Sequence, residues 1–445
     1  MTSSPDVFDG RRSFVAVAGL TYGTNLAVAV LSLANVVITA RVLGPSGRGD
    51  VALMTTIAML TASLAAFGIH EANANIGAAE PERRRSLATN SVLLALALGL
   101  TAAGVLAGLV QVFPALDGDT STPVLALALA AIPILILQAG LQMLIQSQYR
   151  FAVTNAAWLL GPVTNVSVNG LFAAIGVLTV SSAVAVWVAG QLLGTILLVW
   201  YAARRAAGFG APDAGLARRS LAFGSQTHLG RVMTMGNYRL DQWFVGSIAG
   251  TRELGLYSVA VAWAEALFYL PTALQMVQRP RLVRAAPREA GAWAATVFRA
   301  ATLLTGVLAI GLVVAAPVLC VGVFGDEFRG SIDDLRILAA GGFGIVALKL
   351  FGSALNAQGK PMLTNVGIGV AFTATIALDL LLIPAYGGLG AAIASTLAYS
   401  AGGVAMALVF SRALGVRRAD LVPRGTELRP VFGALRARAQ RGAAP

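Results

Sequence analysis

The chain has 445 residues, of which 57% are hydrophobic and only 12% charged, with a mean hydropathy of +0.76. An ordinary soluble protein is roughly 25% charged, so a soluble enzyme and a disordered chain are excluded. One cysteine, Cys320, and two histidines, His70 and His228, leave no disulfide framework and little His or Cys metal chemistry.

The lipid bilayer is the natural solvent for such a chain. Twelve apolar stretches of crossing length follow one another, at approximately 13–39, 51–74, 89–114, 122–146, 155–179, 183–203, 222–248, 255–277, 294–324, 335–357, 362–384 and 388–411. They are rich in Gly and Ala, which suits close helix packing in lipid. The first is too long for a signal peptide and is read as retained. With the N-terminus in the cytoplasm, the inner segments carry 23 of the 32 basic residues and the outer loops carry 5. This asymmetry places both termini inside. It accounts for the net charge of +12 without any nucleic acid.

The divisions are an N-terminal segment 1–12, a six-helix lobe 13–205, a cytoplasmic linker 206–221, a second lobe 222–412 and a basic tail 413–445. The tail is read as mobile beside anionic membrane lipids, with 431–441 able to form a short surface helix. No loop is long enough to hold a catalytic domain.

The halves repeat. Gly44-Pro45-Ser46-Gly47-Arg48-Gly49 after the first span matches Gly250-Thr251-Arg252-Glu253-Leu254-Gly255 after the seventh, offset by 206. Gln148 to Asn155 matches Gln358 to Asn365, offset by 210. Six spans per repeat, an even number, bring both units in from the same side. The expected fold is therefore an all-α polytopic membrane protein of about twelve transmembrane helices, in two six-helix lobes related by a parallel pseudo-two-fold repeat.

Span 7 carries the densest polar set. With Arg231 at 0° and about 100° per residue, Tyr238 falls near −20°, Gln242 near 20°, Arg239 near 80° and Asp241 near −80°. Leu229, Val232, Leu240 and Phe244 occupy the other face. A charge at mid-membrane costs about 3 kcal/mol on insertion scales, so Arg231 and Arg239 require a wet cavity or a buried partner. Glu265 lies at a depth that suits pairing with either arginine. Lys349 is a further deep cation. The candidate substrate-binding residues are Arg231, Arg239, Lys349, Tyr238 and Gln242. The candidate ion-coupling residues are Asp241 and Glu265, because a carboxylate can lose and regain its charge whereas arginine stays protonated. The first half carries amides instead, including Asn25, Asn35, Asn165 and Asn169, with Glu71 its one clear intramembrane charge. A surface cationic on one lobe and neutral on the other suits a diphosphate or an acidic sugar.

Read in order, several stretches resemble the multidrug/oligosaccharidyl-lipid/polysaccharide exporter superfamily, and its polysaccharide-flippase branch in particular. They are Arg41-Val42-Leu43-Gly44-Pro45-Ser46-Gly47-Arg48-Gly49, Arg239-Leu240-Asp241 with Leu254-Gly255-Leu256-Tyr257-Ser258-Val259-Ala260, Asn356-Ala357-Gln358-Gly359-Lys360-Pro361, and Ile383-Pro384-Ala385-Tyr386-Gly387-Gly388-Leu389-Gly390-Ala391-Ala392. The resemblance covers nearly all of 10–412. It implies export of a lipid-linked oligosaccharide, on a polyprenyl phosphate or diphosphate, across the cytoplasmic membrane by alternating access. It implies no cofactor and no catalytic residue, and it points to glycosyltransferases or a polymerase of the same pathway as partners. Two readings stand beside it. One is a drug or organic-cation antiporter of the same superfamily, although those typically carry an acidic residue in the first helix and span 1 has none. The other is a non-transporting membrane scaffold.

Overall fold

The structure, a computed structural model, describes residues 10–117, 121–206 and 208–423. The segment 1–9 and the tail beyond 423, including the expected surface helix at 431–441, lie outside the described residues.

Among the described residues there are helices and turns but no strands. The α-helices are α1 (Gly10–Ala65), α2 (Ile69–Ala79), α3 (Arg84–Val112), α4 (Thr122–Gln146), α5 (Phe151–Ala174), α6 (Val180–Arg204), α7 (Ala214–Phe244), α8 (Thr251–Ala264), α9 (Tyr269–Arg284), α10 (Pro287–Pro317), α11 (Ser331–Ala357) and α12 (Pro361–Leu414). Local chemistry sets many of these ends. Proline opens α10 and α12, where its missing N–H costs nothing. Thr179 and Ser182 cap α6 reciprocally. Asp213 Oδ1 accepts the Leu216 N–H at 2.9 Å and starts α7. α7 therefore begins inside the stretch read from sequence as linker.

Eight stretches among the described residues are long and apolar enough to cross a membrane. α1 and α12 each bend at a glycine of positive φ, Gly44 and Gly387, and so supply two crossings apiece. α5 and α7 have the length of a crossing but are more polar. The described residues thus contain twelve membrane-length segments. Val112, Val277, Val314 and Leu381 are exposed, apolar surface that suits lipid and not water.

The repeat is written into the backbone. Positive φ occurs at Gly44 and Gly250, Tyr149 and Gly359, Gly176 and Gly387, and Gly208 and Gly415, four pairs offset by 206 to 211 residues. Each marks the same chain reversal in the two halves, which is what sequence matches at offsets of 206 and 210 require.

The chain divides into two compact units. Unit 1 holds the described residues of Met1–Met235 together with Val245–Gly255, and unit 2 holds Gly236–Phe244 and the described residues from Leu256 onward. Unit 1 is centred on Leu87, Leu141, Leu144, Ile145 and Leu198. Unit 2 is centred on Phe351, Phe410, Met406 and Leu414, and Leu421 inserts into the same core. The first residues of the basic tail are therefore packed onto unit 2, because Leu421 supplies an apolar side chain with a place to go. In unit 2, α11 and α12 pack closely enough that a Cβ on Gly344 would lie 2.2 Å from the Tyr399 carbonyl oxygen, the small-residue contact on which helices in lipid rely.

Candidate substrate and ion-coupling site

Unit 2 gathers most of the residues singled out on span 7. Arg239 Nη1 donates to Glu265 Oε1 at 2.7 Å. Glu265 opens a 3₁₀ turn, Glu265–Phe268, that interrupts the α8 to α9 run. A mid-helix 3₁₀ stretch commonly marks a functional hinge, and here it presents the carboxylate. Tyr238 packs on Phe268, with ring centroids 5.9 Å apart. Lys349 comes from α11, and its Nζ donates to Thr272 Oγ1 at 2.9 Å. The same Nζ lies 5.9 Å from the Tyr238 ring centroid, inside the range of a cation–π contact. The Lys349 carbonyl accepts from Gln275. Arg239, Glu265, Lys349 and Tyr238 thus form one group with two cations and one anion. The Arg239 and Glu265 side chains keep 25% and 31% of their exposure, so the pair is not sealed off.

Asp241 and Gln242 belong to a different, buried layer of unit 2. Asp241 Oδ2 accepts from the Tyr257 hydroxyl at 2.6 Å and from Ser395 Oγ at 3.2 Å, and Oδ1 accepts the Gln242 backbone N–H at 2.7 Å. Gln242 is itself buried. On α12, Asp379 is completely buried, and both of its carboxylate oxygens lack a hydrogen-bond partner. It interacts electrostatically with Asp241. Thr375, one turn before Asp379, donates to Asn237 Oδ1 at 3.2 Å, and the Tyr399 hydroxyl donates to the Asn237 carbonyl at 2.7 Å. Among the described residues no three His, Cys, Asp or Glu side chains cluster as metal ligands.

Arg231 is not part of either group. It lies in unit 1, where its Nη1 stands 3.6 Å from Glu71 Oε1. His70 Nε2 is 3.7 Å from the same oxygen, and the His228 ring stacks on Phe67 at 5.2 Å. The wheel placed Arg231 and Arg239 on neighbouring arcs of one helix. The partners available to each, Glu71 and Glu265, belong to different units.

Asp379, Tyr257 and Ser395 are not among the candidate site residues that the sequence supplies. The available signal was the repeat: Asp241 and Asp379 stand at offsets of 206 and 210 from Asn35 and Asn169. Those offsets are the ones that relate the matching turns, and in unit 1 Asn169 Nδ2 donates to Asn35 Oδ1 at 2.8 Å.

This architecture is shared with solved transporters. The chain is similar to a multidrug resistance MATE family transporter of the MOP superfamily in an inward-facing conformation, with a TM-score of 0.74 at 13% identity over 87% of this chain and 94% of that one. It is similar to the lipid II flippase MurJ in an inward closed conformation, with a TM-score of 0.67 at 13% identity over 87% of each chain. It is also similar to a MOP superfamily transporter from Pyrococcus furiosus, with a TM-score of 0.58 at 14% identity over 90% and 95%. A search of curated proteins finds no match. The fold is that of the multidrug/oligosaccharidyl-lipid/polysaccharide exporter superfamily, a multi-pass membrane class. A family model described as "Polysaccharide biosynthesis protein" matches residues 38–333, and the chain belongs to that family.

Proposed function

We infer that the protein is a flippase that carries a lipid-linked oligosaccharide, on a polyprenyl phosphate or diphosphate, from the inner to the outer leaflet of the cytoplasmic membrane, with both termini in the cytoplasm. The observation that carries this reading is the partly exposed Arg239–Glu265–Lys349–Tyr238 group. Its family supports a role in polysaccharide biosynthesis. A group with one surplus cation inside an apolar helix bundle attracts an anion and repels an organic cation, which separates this reading from the drug-antiporter alternative.

The chemistry follows from the pairings. Before substrate arrives, Glu265 neutralises Arg239 and holds its guanidinium in a fixed orientation. A phosphate offers the guanidinium two parallel charge-assisted hydrogen bonds and displaces the carboxylate. Lys349, anchored on Thr272 and Tyr238, adds a second positive charge. Only the head group needs to enter such a site, since the polyprenyl chain remains in lipid. Alternating access then requires a change that depends on energy supplied by an ion.

The Asp241 and Asp379 layer supplies a place for that ion. An ionised carboxylate buried without a partner costs several kcal/mol, and two that interact cannot both stay charged cheaply. A proton or a monovalent cation resolves the conflict, with Ser395 and the Tyr257 hydroxyl arranged about Asp241. Binding and release of that ion on opposite sides of the membrane would drive the cycle.

The test is a vesicle assay with purified protein. Translocation of a polyprenyl-diphosphate oligosaccharide should be accelerated over protein-free vesicles, and uptake of a fluorescent organic cation should not. The reverse pattern rejects the flippase reading in favour of the antiporter, and stimulation of neither leaves a scaffold.

A further inference from the structure

Unit 1 contains a cleft that the groups above do not use. It lies between α2 and α7 and has a volume of about 340 Å³. Ligand pockets run from about 300 to 1,000 Å³, so this one accommodates a head group and not an oligosaccharide. Glu80, Asn75 and Ile76 line one wall, and Arg219, Phe223 and Gln226 line the other.

At its mouth Arg219 grips Glu80 with both prongs, Nη2 to Oε1 at 2.6 Å and Nη1 to Oε2 at 3.0 Å. The fork that fits a carboxylate in this way also fits a phosphate. More than half of the Arg219 side chain is exposed, and an ion pair in water yields readily to a competing anion. Asn75 and Gln226 add exposed amide groups to the lining, and Asn75 Nδ2 spends one hydrogen on the Glu71 carbonyl at 3.3 Å. Ile76 and Phe223 add an apolar wall. Beyond them stands Arg231 against Glu71, 3.6 Å apart. Arg219 and Arg231 are twelve residues apart, about 18 Å along α7. The cleft therefore combines one replaceable guanidinium–carboxylate pair with amides and apolar surface. That set of groups fits an amphiphile whose charge is carried by phosphate.

The helix is held firmly enough to serve as a wall. Asn90 Nδ2 donates to the Asp213 carbonyl at 2.8 Å, the Asp213 N–H donates to Asn90 Oδ1 at 3.1 Å, and Arg83 pairs with Asp213 at 3.1 Å. At the break between α1 and α2, Gly68 fits so tightly on α7 that a Cβ there would lie 2.3 Å from the Gly224 oxygen.

We propose that the α2–α7 cleft of unit 1 is the cytoplasmic docking site for the phosphate head group of a polyprenyl lipid, with Arg219 passing from Glu80 to the phosphate. This rests on the flippase reading and names where its substrate first binds. Arg219, Gln226 and Asn75 are its contact residues, and Glu80 is the counter-ion released to solvent.

Occupancy is measurable without transport. Cys320, the only cysteine, is buried. Full-length Cys320→Ser protein carrying Gln226→Cys, in phosphatidylcholine nanodiscs, is labelled with a maleimide. Saturating farnesyl diphosphate should slow labelling at least about fivefold, and adding Arg219→Ala should raise the concentration needed about tenfold, the loss of one bidentate charged contact. Asn75→Cys is a second reporter should the first fold poorly. Protection by inorganic pyrophosphate alone, at equal concentration, means that the site reads free phosphate and rejects the lipid assignment. Protection by farnesol equal to that by farnesyl diphosphate rejects phosphate recognition altogether. Protein that translocates the lipid-linked oligosaccharide in vesicles yet shows no protection at either reporter overturns the docking site alone. Protection without translocation keeps the site and overturns the transport reading.

Discussion

The two halves of the molecule turn at the same places and differ sharply in chemistry at one corresponding pair of positions. In unit 1 Asn35 and Asn169 meet through an amide hydrogen bond of 2.8 Å. In unit 2 the positions that correspond, at offsets of 206 and 210 residues, are Asp241 and Asp379. An amide has both donors and acceptors, so one can donate directly to the other. Two carboxylates have only acceptors when ionised; Asp241 takes donors from Tyr257, Ser395 and the Gln242 N–H, while both Asp379 oxygens have none. The same frame thus carries a neutral amide contact in one half and two carboxylates in the other. The deep cations show the same division. Arg239, hydrogen-bonded at 2.7 Å to Glu265, belongs to unit 2, whereas Arg231 in unit 1 is separated from Glu71 by 3.6 Å and is about half exposed.

The largest effect should come from removing that difference. Asp379→Asn makes unit 2 resemble unit 1 at this position. It removes an unpartnered buried carboxylate, so the protein should gain about 1–3 kcal/mol in stability. Gradient-driven translocation should fall on the order of 100-fold, about 2.7 kcal/mol in the barrier. Thermal unfolding of the purified protein and vesicle assays with and without an imposed ion gradient measure the two quantities. A variant that is less stable, or that still responds to the gradient, breaks the comparison.

The next effect separates the arginines. Arg239→Ala strands Glu265 and should lower the yield of monodisperse protein, and its translocation rate should drop by about 30- to 100-fold. Adding Glu265→Gln should restore the yield and leave the rate low, because the carboxylate no longer needs a partner while the phosphate still does. Arg231→Ala should leave the yield near wild type, since an exposed and loosely spaced pair contributes about 0–1 kcal/mol. Its rate should fall less than about tenfold. Equal loss of yield in the two single variants would show that the closer hydrogen bond carries no extra weight.

Much of this was legible from residues alone. The twelve crossings follow from runs of apolar residues, and the repeat from two short matches whose offsets reappear in the positive-φ turns. The pairing of Glu265 with Arg239 was within reach of a depth argument. Periodicity on one helix ranks directions about an axis and not the partners that each direction meets. Arg231 and Arg239 sit on nearby arcs, yet α7 belongs to unit 1 through Met235 and to unit 2 from Gly236. Periodicity does not mark out Asp379 either. A lone aspartate in an apolar run gives no sign of whether a donor faces it, and neither of its carboxylate oxygens has one. Applying the repeat offsets to polar residues as well as to turns would have exposed it.

The exposed pair of Glu80 and Arg219 is the reference against which both buried contrasts are measured, and its effect should be the smallest. Hydrogen bonding to Arg219 holds the Glu80 carboxyl below its ordinary value of 4.5. The folded state thus favours the ionised form more than the unfolded chain does. The resulting stabilisation is fully present above the unfolded value and is lost as pH falls through the lower, folded one. Thermal stability of wild type minus that of Arg219→Gln should accordingly be constant from about pH 8 to pH 6 and should shrink only below about pH 4.5. Because Arg219 is more than half exposed, raising salt to about 1 M, where the screening length is about 3 Å, should erase most of the difference even at neutral pH. The Arg239→Ala deficit should survive the same salt better, since the Arg239 side chain keeps only 25% of its exposure. A salt response as large for Arg239 as for Arg219 would place the unit 2 group in open water and remove the basis for assigning it the substrate.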